Sequence, residues 1–154
     1  MLWSLALSTS KMTGKLLTVL LFFTCLTAQS QDLRKHRWED RIVLLISDSL
    51  DSDTLKQQLQ LFQQAEKALK ERKIVVYQIS SSRVKKGINK SSADSNGDLY
   101  KRYKKSDAPF EVVLIGLDGG VKLRKERIVK PPELFELIDR MPMRRAEMYK
   151  GESP

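Results

Sequence analysis

The sequence predicts an α/β domain in which a central mixed sheet of four strands is flanked by helices. Short runs rich in β-branched and aliphatic residues alternate with helix-like stretches, in the order β-α-β-(α)-β-β-α. The first two strands are joined by a helix, and such crossovers are right-handed and place parallel strands side by side. A hairpin adds the last two strands to the same sheet, so the expected strand order is 2-1-3-4 with the third strand antiparallel.

The first thirty residues carry the pattern of a signal peptide, which leaves residues 31–154 to form a single domain. Lys11 and Lys15 precede an uncharged apolar stretch over Leu16–Leu26, and small residues stand three and one positions before Gln31. Eleven apolar residues are too few to span a bilayer comfortably, which favours a cleaved leader over an anchor. We therefore expect export to the periplasm or the extracellular space, with no membrane span in the mature chain.

Two alternatives concern the leader itself. A second apolar patch precedes the lysines, so Met12 would make a more regular initiator than Met1. Cys25 is the only cysteine, and lipidation there is disfavoured because the preceding residues, Phe22-Phe23-Thr24, are bulkier than a lipoprotein signal normally has. With Cys25 inside the leader, the mature chain holds no disulfide framework, thiolate metal site or cysteine nucleophile.

The composition is that of a soluble globular domain with a basic surface. Hydrophobic residues make up 41% and charged residues 31% of the chain, which argues against wholesale disorder. All 19 acidic residues and 26 of the 28 lysines and arginines follow residue 30. The segment 100–105 is the densest basic stretch and carries two tyrosines, but export makes nucleic acid an improbable partner and favours an anionic polymer. The competing interpretation is a solvated basic surface without a specific ligand.

The first half of the domain reads as a βαβ unit. Ile42–Ile46 is a continuous apolar run typical of a strand buried on both faces. The stretch 53–72 predicts one helix with an apolar face and a polar face, and Ile74–Ile79 predicts the second strand. The apolar positions of the helix are Leu55, Leu59, Phe62 and Leu69, and the polar face carries Gln57, Gln58, Gln63 and Gln64.

The second half begins with a polar segment and ends with a hairpin and a helix. Residues 80–98 contain six serines and two glycines, and we expect a flexible loop there. The turn Asp118-Gly119-Gly120 favours a hairpin. The remaining predicted elements are a short basic helix over Leu99–Lys105, strands over Phe110–Ile115 and Val121–Arg124, and a helix that Pro131-Pro132 opens and Pro142 ends.

This order of elements is that of the thioredoxin core, and two segments strengthen the similarity. Gly116–Lys122 (GLDGGVK) and Ile138–Met148 (IDRMPMRRAEM), together with the opening Leu33–Ile46 (LRKHRWEDRIVLLI), resemble a widespread exported family of unknown function. The family is also found in sushi-repeat-containing extracellular proteins and is described as peroxiredoxin-like. The resemblance covers essentially the whole mature chain, and it implies a thioredoxin-like fold without implying an activity.

The segment that carries the reactive cysteine in thioredoxin-like enzymes contains no cysteine here. In thioredoxin-like enzymes the reactive cysteine lies between the first strand and the first helix, where the helix N-terminus lowers its pKa. Here that segment, Ser47–Asp53, contains serines and three aspartates. A serine hydroxyl cannot carry thiol–disulfide exchange or reduce a peroxide. Pro109 stands where the thioredoxin-type proline precedes the third strand, and we predict a cis peptide bond there.

No other pattern predicts catalysis, a metal or a cofactor. Asp94–Asp98 begins like a calcium loop, but Leu99 and Lys105 stand where glycine and a bidentate acid are required. His36 is the single histidine, flanked by basic residues, and is predicted to lie on the surface. There is no G-x-S-x-G motif and no glycine-rich phosphate loop.

Two hypotheses of different classes follow. The first is a non-catalytic binding module of the cell envelope or extracellular space, whose partner is a protein or an anionic polymer. The second is a degenerate peroxiredoxin-like enzyme with non-thiol chemistry, for which Asp48, Asp51 and Asp53 are the available groups. A metal bound by these three acids would favour the second hypothesis.

The residues that carry the resemblance are expected to gather at one end of the sheet, where the first strand starts. We call this end the motif pole; it lies opposite the segment that holds the cysteine in thioredoxin-like enzymes. The motif pole is either a ligand or partner site or a structural clasp, in which Asp118 or Asp139 pairs with Arg144 or Arg145. Its predicted members are Trp38, Arg41, Asp118, Gly119, Gly120, Lys122, Asp139, Met141, Met143, Arg144, Arg145 and Glu147.

Overall fold

The computed structural model describes residues 33–89, 93–94 and 97–151, with side chains over 33–89 and 98–150. The strands are β1 (Arg41–Ser47), β2 (Ile74–Ile79), β3 (Val84–Lys86), β4 (Ala93–Asp94), β5 (Phe110–Ile115) and β6 (Val121–Lys125). The helices are α1 (Asp53–Gln64), α2 (Glu66–Glu71), α3 (Gly97–Tyr103), α4 (Pro131–Asp139) and α5 (Pro142–Gly151). A short 3-10 helix, Leu33–His36, precedes β1. None of the described helices has both the length and the apolar character needed to span a bilayer.

The predicted order of the central strands is confirmed, and the predicted count of four is too low. The sheet runs β4-β3-β2-β1-β5-β6, in which β1 is parallel to β2 and antiparallel to β5. The two additional strands lie within residues 80–98, where we expected only a flexible loop. Strands of three and two residues are too short to show an alternating pattern, and the surrounding serines obscure them. They extend the sheet because β3 pairs with the end of β2, Val84 opposite Ile79.

The predicted helix over 53–72 is two helices that share one apolar stripe. The break lies at Ala65, yet Leu55, Phe62 and Leu69 are all buried, as their spacing predicts. The assignment of Gln58 to the polar face is wrong, since its side chain is fully buried. The Gln58 amide donates to the Val129 carbonyl over 2.9 Å and accepts from the Val129 N–H over 2.8 Å. A buried glutamine is compatible with the core because both halves of its amide are paired.

Two predictions about prolines are wrong. The peptide bond before Pro109 is trans, because no cis peptide bond occurs in the part of the chain that the structure describes. Pro142 does not simply end the preceding helix: α4 already ends at Asp139, and Pro142 is the first residue of α5. Proline at a first helical position loses no intrahelical hydrogen bond, so Pro142 is compatible with the start of α5.

The central strand β1 is buried along its whole length and separates two apolar layers. Val43 and Leu45 belong to the layer that α1 and α4 cover. Leu44 and Ile46 belong to the opposite layer. Side chains alternate along a strand, so Arg41 begins the row that Val43 and Leu45 continue. A charged residue at the start of β1 is thereby placed on the side of the sheet that faces α1 and α4.

A second buried charge, Glu111, lies near the start of β5, at the end of the sheet opposite the motif pole. It is 0% exposed and forms an ion pair with Arg124, while the Lys104 ammonium lies 3.5 Å away. Ser106 donates to it from its hydroxyl at 3.0 Å and from its backbone N–H at 3.2 Å. Burial acts to raise the pKa of Glu111, but the hydrogen bonds from Ser106, Arg124 and the Lys105 backbone lower it overall.

We expect Glu111→Gln to lower the free energy of unfolding at pH 7 by about 3 kcal/mol, because it removes one partner of a buried ion pair. A carboxyl whose pKa is lowered by folding stabilises the protein above its unfolded pKa of about 4.5. That contribution is lost as the pH falls through the lower folded value. The difference between wild type and variant should therefore shrink at pH 3 in urea denaturation. Glu126→Gln, an exposed change on the same hairpin, is the control. A difference that is independent of pH would contradict the prediction.

Candidate functional site

The β5–β6 turn is joined to the segment before β1 at the motif pole. The Trp38 N–H donates to the Leu117 carbonyl over 2.8 Å. Trp38 has a φ of +71° and its side chain is 59% exposed, which is an uncommon combination for a bulky residue. The Arg37 guanidinium lies 5.5 Å from the centre of the Trp38 ring. Trp38 is therefore anchored through its backbone, while its aromatic side chain faces solvent.

The turn itself is organised by Asp118. Its carboxylate accepts from the Gly120 N–H at 3.1 Å and from the Lys122 ammonium at 2.6 Å. The hydrogen bonds from Lys122 and Gly120 lower the pKa of Asp118. Gly119 has a φ of +81°, which residues with a side chain rarely adopt. The glycines therefore shape the turn, and the charge of Lys122 is balanced by Asp118.

A network of arginines and carboxylates attaches α5 to the rest of the domain. Arg72 binds both carboxylate oxygens of Asp139, at 3.0 and 2.6 Å. Arg144 donates to Asp139 at 3.2 Å and to the Glu71 carboxylate at 2.6 Å. Burial acts to raise the pKa of Asp139, but the hydrogen bonds from Arg72 and Arg144 lower it overall. One of the pairings predicted from the sequence, Asp139 with Arg144, is therefore present, and Arg72 and Glu71 complete a clasp that the sequence did not indicate.

Arg41 is the most deeply buried charge of the pole. Its side chain is 1% exposed, and its Nη1 donates to the Arg72 carbonyl at 3.0 Å and to Glu147 at 3.2 Å. Its Nε and Nη2 have no hydrogen-bond partner among the described residues. These two nitrogens carry three of the five N–H donors of a guanidinium, on the edge that binds a carboxylate with two parallel hydrogen bonds. An unpaired buried donor costs about 1–3 kcal/mol, and more when it is charged.

A cavity of about 530 Å³ lies next to Arg41. Its size is within the range of about 300–1,000 Å³ that is usual for small-molecule sites. Its lining is mainly apolar, and the apolar residues come from the β5–β6 turn and from the α4–α5 junction. They are Leu117, Leu137, Met141, Pro142 and Met143. Three other charged residues line it: Asp118 and Lys122, which pair with each other, and Arg140, which pairs with Glu136.

A second cavity, of about 400 Å³, shares Gly116 and Asp118 with the first and lies beside the 3-10 helix. Its wall contains His36, which is buried, so the predicted surface position of this histidine is wrong. The His36 ring nitrogens lie 2.7 Å from the Asp40 carboxylate and 2.9 Å from the Tyr77 hydroxyl. Burial and the negative charge of Asp40 raise the pKa of Tyr77. Tyr77 is fully buried, so this trio holds the 3-10 helix on the sheet rather than presenting a reactive group to solvent.

The structure brings most of the predicted members of the motif pole together, but not all of them in the same role. Asp139, Arg144, Arg41 and Glu147 form the ion-pair network. Arg145 is exposed, and no ion pair of its side chain lies within the described residues. Sequence reasoning did not assign several groups to the pole, because their roles depend on contacts that have no local pattern. They are His36, Tyr77, Glu71, Arg72, Leu137 and Arg140.

The three aspartates of the enzyme hypothesis have separate partners. Asp48 accepts from the Tyr100 hydroxyl at 3.3 Å, Asp51 lies 3.8 Å from Arg83, and Asp53 lies 3.5 Å from Lys56. Within the described ranges, no three histidine, cysteine or acidic side chains lie close enough to hold a metal ion. The calcium-like segment 94–98 lies largely outside the described residues.

The fold and the comparisons with known proteins agree on the class of protein. The chain has a peroxiredoxin-like, that is thioredoxin-like, fold. It is similar to the reduced 2-Cys peroxiredoxin of Plasmodium vivax, with a TM-score of 0.55 and 16% identity over 76% of this chain and 85% of that one. The mitochondrial 2-Cys peroxiredoxin of Plasmodium falciparum gives a TM-score of 0.53 and 15% identity, over 79% and 85%. These identities support a shared fold only.

The chain belongs to the family described as "Domain of unknown function (DUF4174)", whose model matches residues 32–147. This match spans both cavities and the clasp, including α5 up to Glu147. A comparison with curated proteins found no similar sequence. The family assignment agrees with the resemblance seen in the sequence segments around the hairpin turn and the α4–α5 junction.

We expect Arg144→Ala to lower the free energy of unfolding by about 1–3 kcal/mol, because it removes the buried guanidinium that joins Asp139 to Glu71, although Asp139 keeps its hydrogen bonds to Arg72. Arg145→Ala, the neighbouring exposed arginine, should change it by less than about 0.5 kcal/mol. Urea denaturation of both variants at neutral pH measures the difference. Equal effects of the two substitutions would show that Arg144 does not hold α5 in place.

Proposed function

We propose that the protein is an exported, non-catalytic binding module that takes up an anionic component of the cell envelope or extracellular matrix at the motif pole. Export rests on the leader pattern of residues 1–30, with cleavage near Gln31. The anionic ligand is supported by one observation above the others: Arg41, which lines the cavity, is a buried guanidinium whose Nε and Nη2 have no hydrogen-bond partner among the described residues, although both atoms are enclosed.

The energetics of Arg41 support a ligand rather than a purely structural role. Removing a guanidinium from water is expensive unless its donors are satisfied. The bonds that Nη1 makes to Glu147, at 3.2 and 3.4 Å, are longer than the 2.7–2.9 Å usual for charged pairs. A structural arginine would be expected to use its flat, two-donor edge on a protein carboxylate, as Arg72 does with Asp139.

The other basic feature, the surface of α3, supports a ligand less well. Lys101 and Arg102 are exposed, and basic runs of this kind are usually solvated surface. Lys104 is not free to bind a ligand because it lies 3.5 Å from the buried Glu111 carboxylate. The proposal therefore places the ligand at Arg41 and leaves α3 as a general source of positive charge.

The test compares wild type with Arg41→Lys, which keeps the positive charge but lacks the two-donor edge. Acetate, inorganic phosphate and an oligogalacturonate are titrated by calorimetry and by thermal stabilisation, which reports binding to the folded state. At least one of these anions should bind wild type, and Arg41→Lys should bind it about tenfold more weakly, the loss expected for about 1.4 kcal/mol of charged hydrogen bonding.

Lys101→Met is the matched control, since it removes an exposed positive charge from α3 and leaves the cavity intact. Its binding should match that of wild type. Anion binding that is lost in Lys101→Met but kept in Arg41→Lys would show that the anion binds at α3 and not at Arg41. If no anion binds, the proposed function is wrong.

The competing hypothesis, a degenerate peroxiredoxin-like enzyme with non-thiol chemistry, has its own test. Residues 31–154 contain no cysteine, so the purified domain should neither reduce insulin disulfides nor consume hydrogen peroxide with turnover. Methionines such as Met141 and Met143 can be oxidised once per side chain, which a multiple-turnover assay separates from catalysis. Turnover that is abolished by one substitution among Asp48, Asp51 and Asp53 would favour the enzyme hypothesis.

A further inference from the structure

We infer that the second cavity of the motif pole, beside the 3-10 helix, binds an acidic saccharide, in which the sugar rings carry carboxylates. Two exposed arginines in its wall, Arg37 and Arg102, bind the carboxylates, and two aspartates of the same wall accept hydrogen bonds from the sugar hydroxyl groups. The site does not include Arg41, so the inference goes beyond the proposed function and can hold or fail without it.

The second cavity has two cationic side chains that no carboxylate of the described residues neutralises. Arg37 and Arg102 both line it and are exposed, and neither side chain forms an ion pair within the described ranges. Arg37 belongs to the segment before β1 and Arg102 to α3, so the fold brings them to one cavity from distant parts of the chain. Unlike the enclosed nitrogens of Arg41, these guanidinium groups can contact a molecule that lies in the cavity or across its opening.

Each of the two arginines is supported by an aromatic ring. The Arg37 guanidinium lies 5.5 Å from the centre of the Trp38 ring, and that of Arg102 lies 5.6 Å from the centre of the Tyr103 ring. Arg37 also contacts the β5–β6 turn, where its Cδ and Nε lie 4.0 Å from the position that a Cβ on Gly119 would occupy. A ring over the face of a guanidinium leaves the N–H donors in its plane free for an anion. Donors that are already held in place lose little entropy on binding.

The wall also contains two carboxylates, which disfavour a ligand that offers only negative charge. Asp40 lies 2.7 Å from a ring nitrogen of His36. Asp118 accepts from the Gly120 N–H and from the Lys122 ammonium. A carboxylate has about four lone-pair sites, so both aspartates can accept further hydrogen bonds. Sugar hydroxyl groups supply such donors, whereas an ionised phosphate and the acidic side chains of a peptide supply none.

The buried part of the wall fits the C–H face of a sugar ring. Leu33, Ile42 and Ile115 line it and are at most 9% exposed. Covering this apolar surface with the C–H face of a ring removes it from water. The volume of about 400 Å³ is near the lower end of the range usual for small ligands, so the cavity accommodates a short part of a saccharide chain. A longer polymer can bind through such a part while its remainder lies outside.

Tetraglucuronate with β-1,4 linkages is the probe for this inference. Calorimetry compares it with cellotetraose, which has the same rings without the carboxylates, and with tetraglutamate, which has the same number of side-chain carboxylates without the rings. We expect tetraglucuronate to bind wild type at least about tenfold more tightly than either, because only this probe supplies carboxylates, hydroxyl donors and a C–H face together.

Two substitutions remove the proposed donors, and each has a matched control. Arg37→Gln and Arg102→Gln should each weaken tetraglucuronate about tenfold, the loss expected for a charged hydrogen bond. Lys35→Gln and Lys101→Gln remove exposed positive charges from the same two segments but outside the cavity wall, and each should weaken it less than about twofold. Arg41→Lys should leave this binding unchanged. All four exposed substitutions should keep the wild-type melting temperature, which shows that the variants fold.

Trp38 provides a second, local measurement. It is the only tryptophan after residue 30, and the Arg37 guanidinium lies against its ring. In the chain without its leader, which contains every described helix and strand, tetraglucuronate bound to Arg37 should change the tryptophan emission. The change should follow the same concentration dependence as the heat of binding. Heat of binding with unchanged emission would place the saccharide elsewhere and overturn the inference.

The remaining outcomes separate this inference from the proposed function. If tetraglutamate binds as tightly as tetraglucuronate, charge alone drives binding and the inference fails. If cellotetraose does so, the arginines are not used and the inference also fails. Equal losses in the arginine variants and in their lysine controls would indicate a diffuse basic surface and overturn the site. Binding of acetate or phosphate that depends on Arg41 decides the proposed function separately, so the failure of one leaves the other standing.

Discussion

The attachment of α5 depends on charge rather than on apolar burial. Over residues 142–150, the part of α5 with described side chains, Arg144 is the only buried residue. Asp139, at the end of α4, accepts hydrogen bonds from both Arg72 and Arg144, and Arg144 continues to Glu71. The position of α5 in turn sets Pro142 and Met143 in the cavity wall and brings Glu147 to Arg41. The candidate site therefore exists only while this ion-pair network holds the helix.

The same network explains how Arg41 tolerates burial at the start of a central strand. Its Nη1 is satisfied by the Arg72 carbonyl and by Glu147, a carboxylate that α5 supplies. These hydrogen bonds lower the free-energy cost of burying the Arg41 guanidinium below that of an isolated charge. They leave its other edge, Nε and Nη2, unpaired among the described residues. Proteins commonly retain such a cost where it serves binding, because a donor already fixed in place loses little entropy when its ligand arrives.

Sequence patterns predicted the elements that depend on local periodicity and missed those that depend on contacts between distant residues. The apolar runs of β1, β2 and β5 and the stripe through α1 and α2 are local signals, and they were sufficient for the sheet order. The burial of His36 depends on Tyr77, forty-one positions away, and that of Gln58 on the backbone of Val129, and neither partner is recognisable in the sequence. Arg41 was placed at the motif pole, yet its depth and its unpaired edge emerge only when α5 covers it. Buried polar and charged residues are therefore the ones whose roles the sequence leaves open.

The two ends of the sheet differ in how fully their polar groups are paired. At the end that carries the cysteine in thioredoxin-like enzymes, Ser52 caps α1 through the Leu55 N–H, its hydroxyl lies 2.9 Å from that of Ser47, and Asp48 accepts from Tyr100. Glu111, buried nearby, has donors from Ser106, Arg124 and the Lys105 backbone. These groups satisfy one another, and Asp51 and Asp53 beside them are exposed to solvent. At the motif pole Nε and Nη2 of Arg41 remain unpaired among the described residues, and they are enclosed next to a mainly apolar cavity. The balance of satisfied and unsatisfied donors therefore favours the motif pole as the binding end over the end that carries the cysteine in thioredoxin-like enzymes.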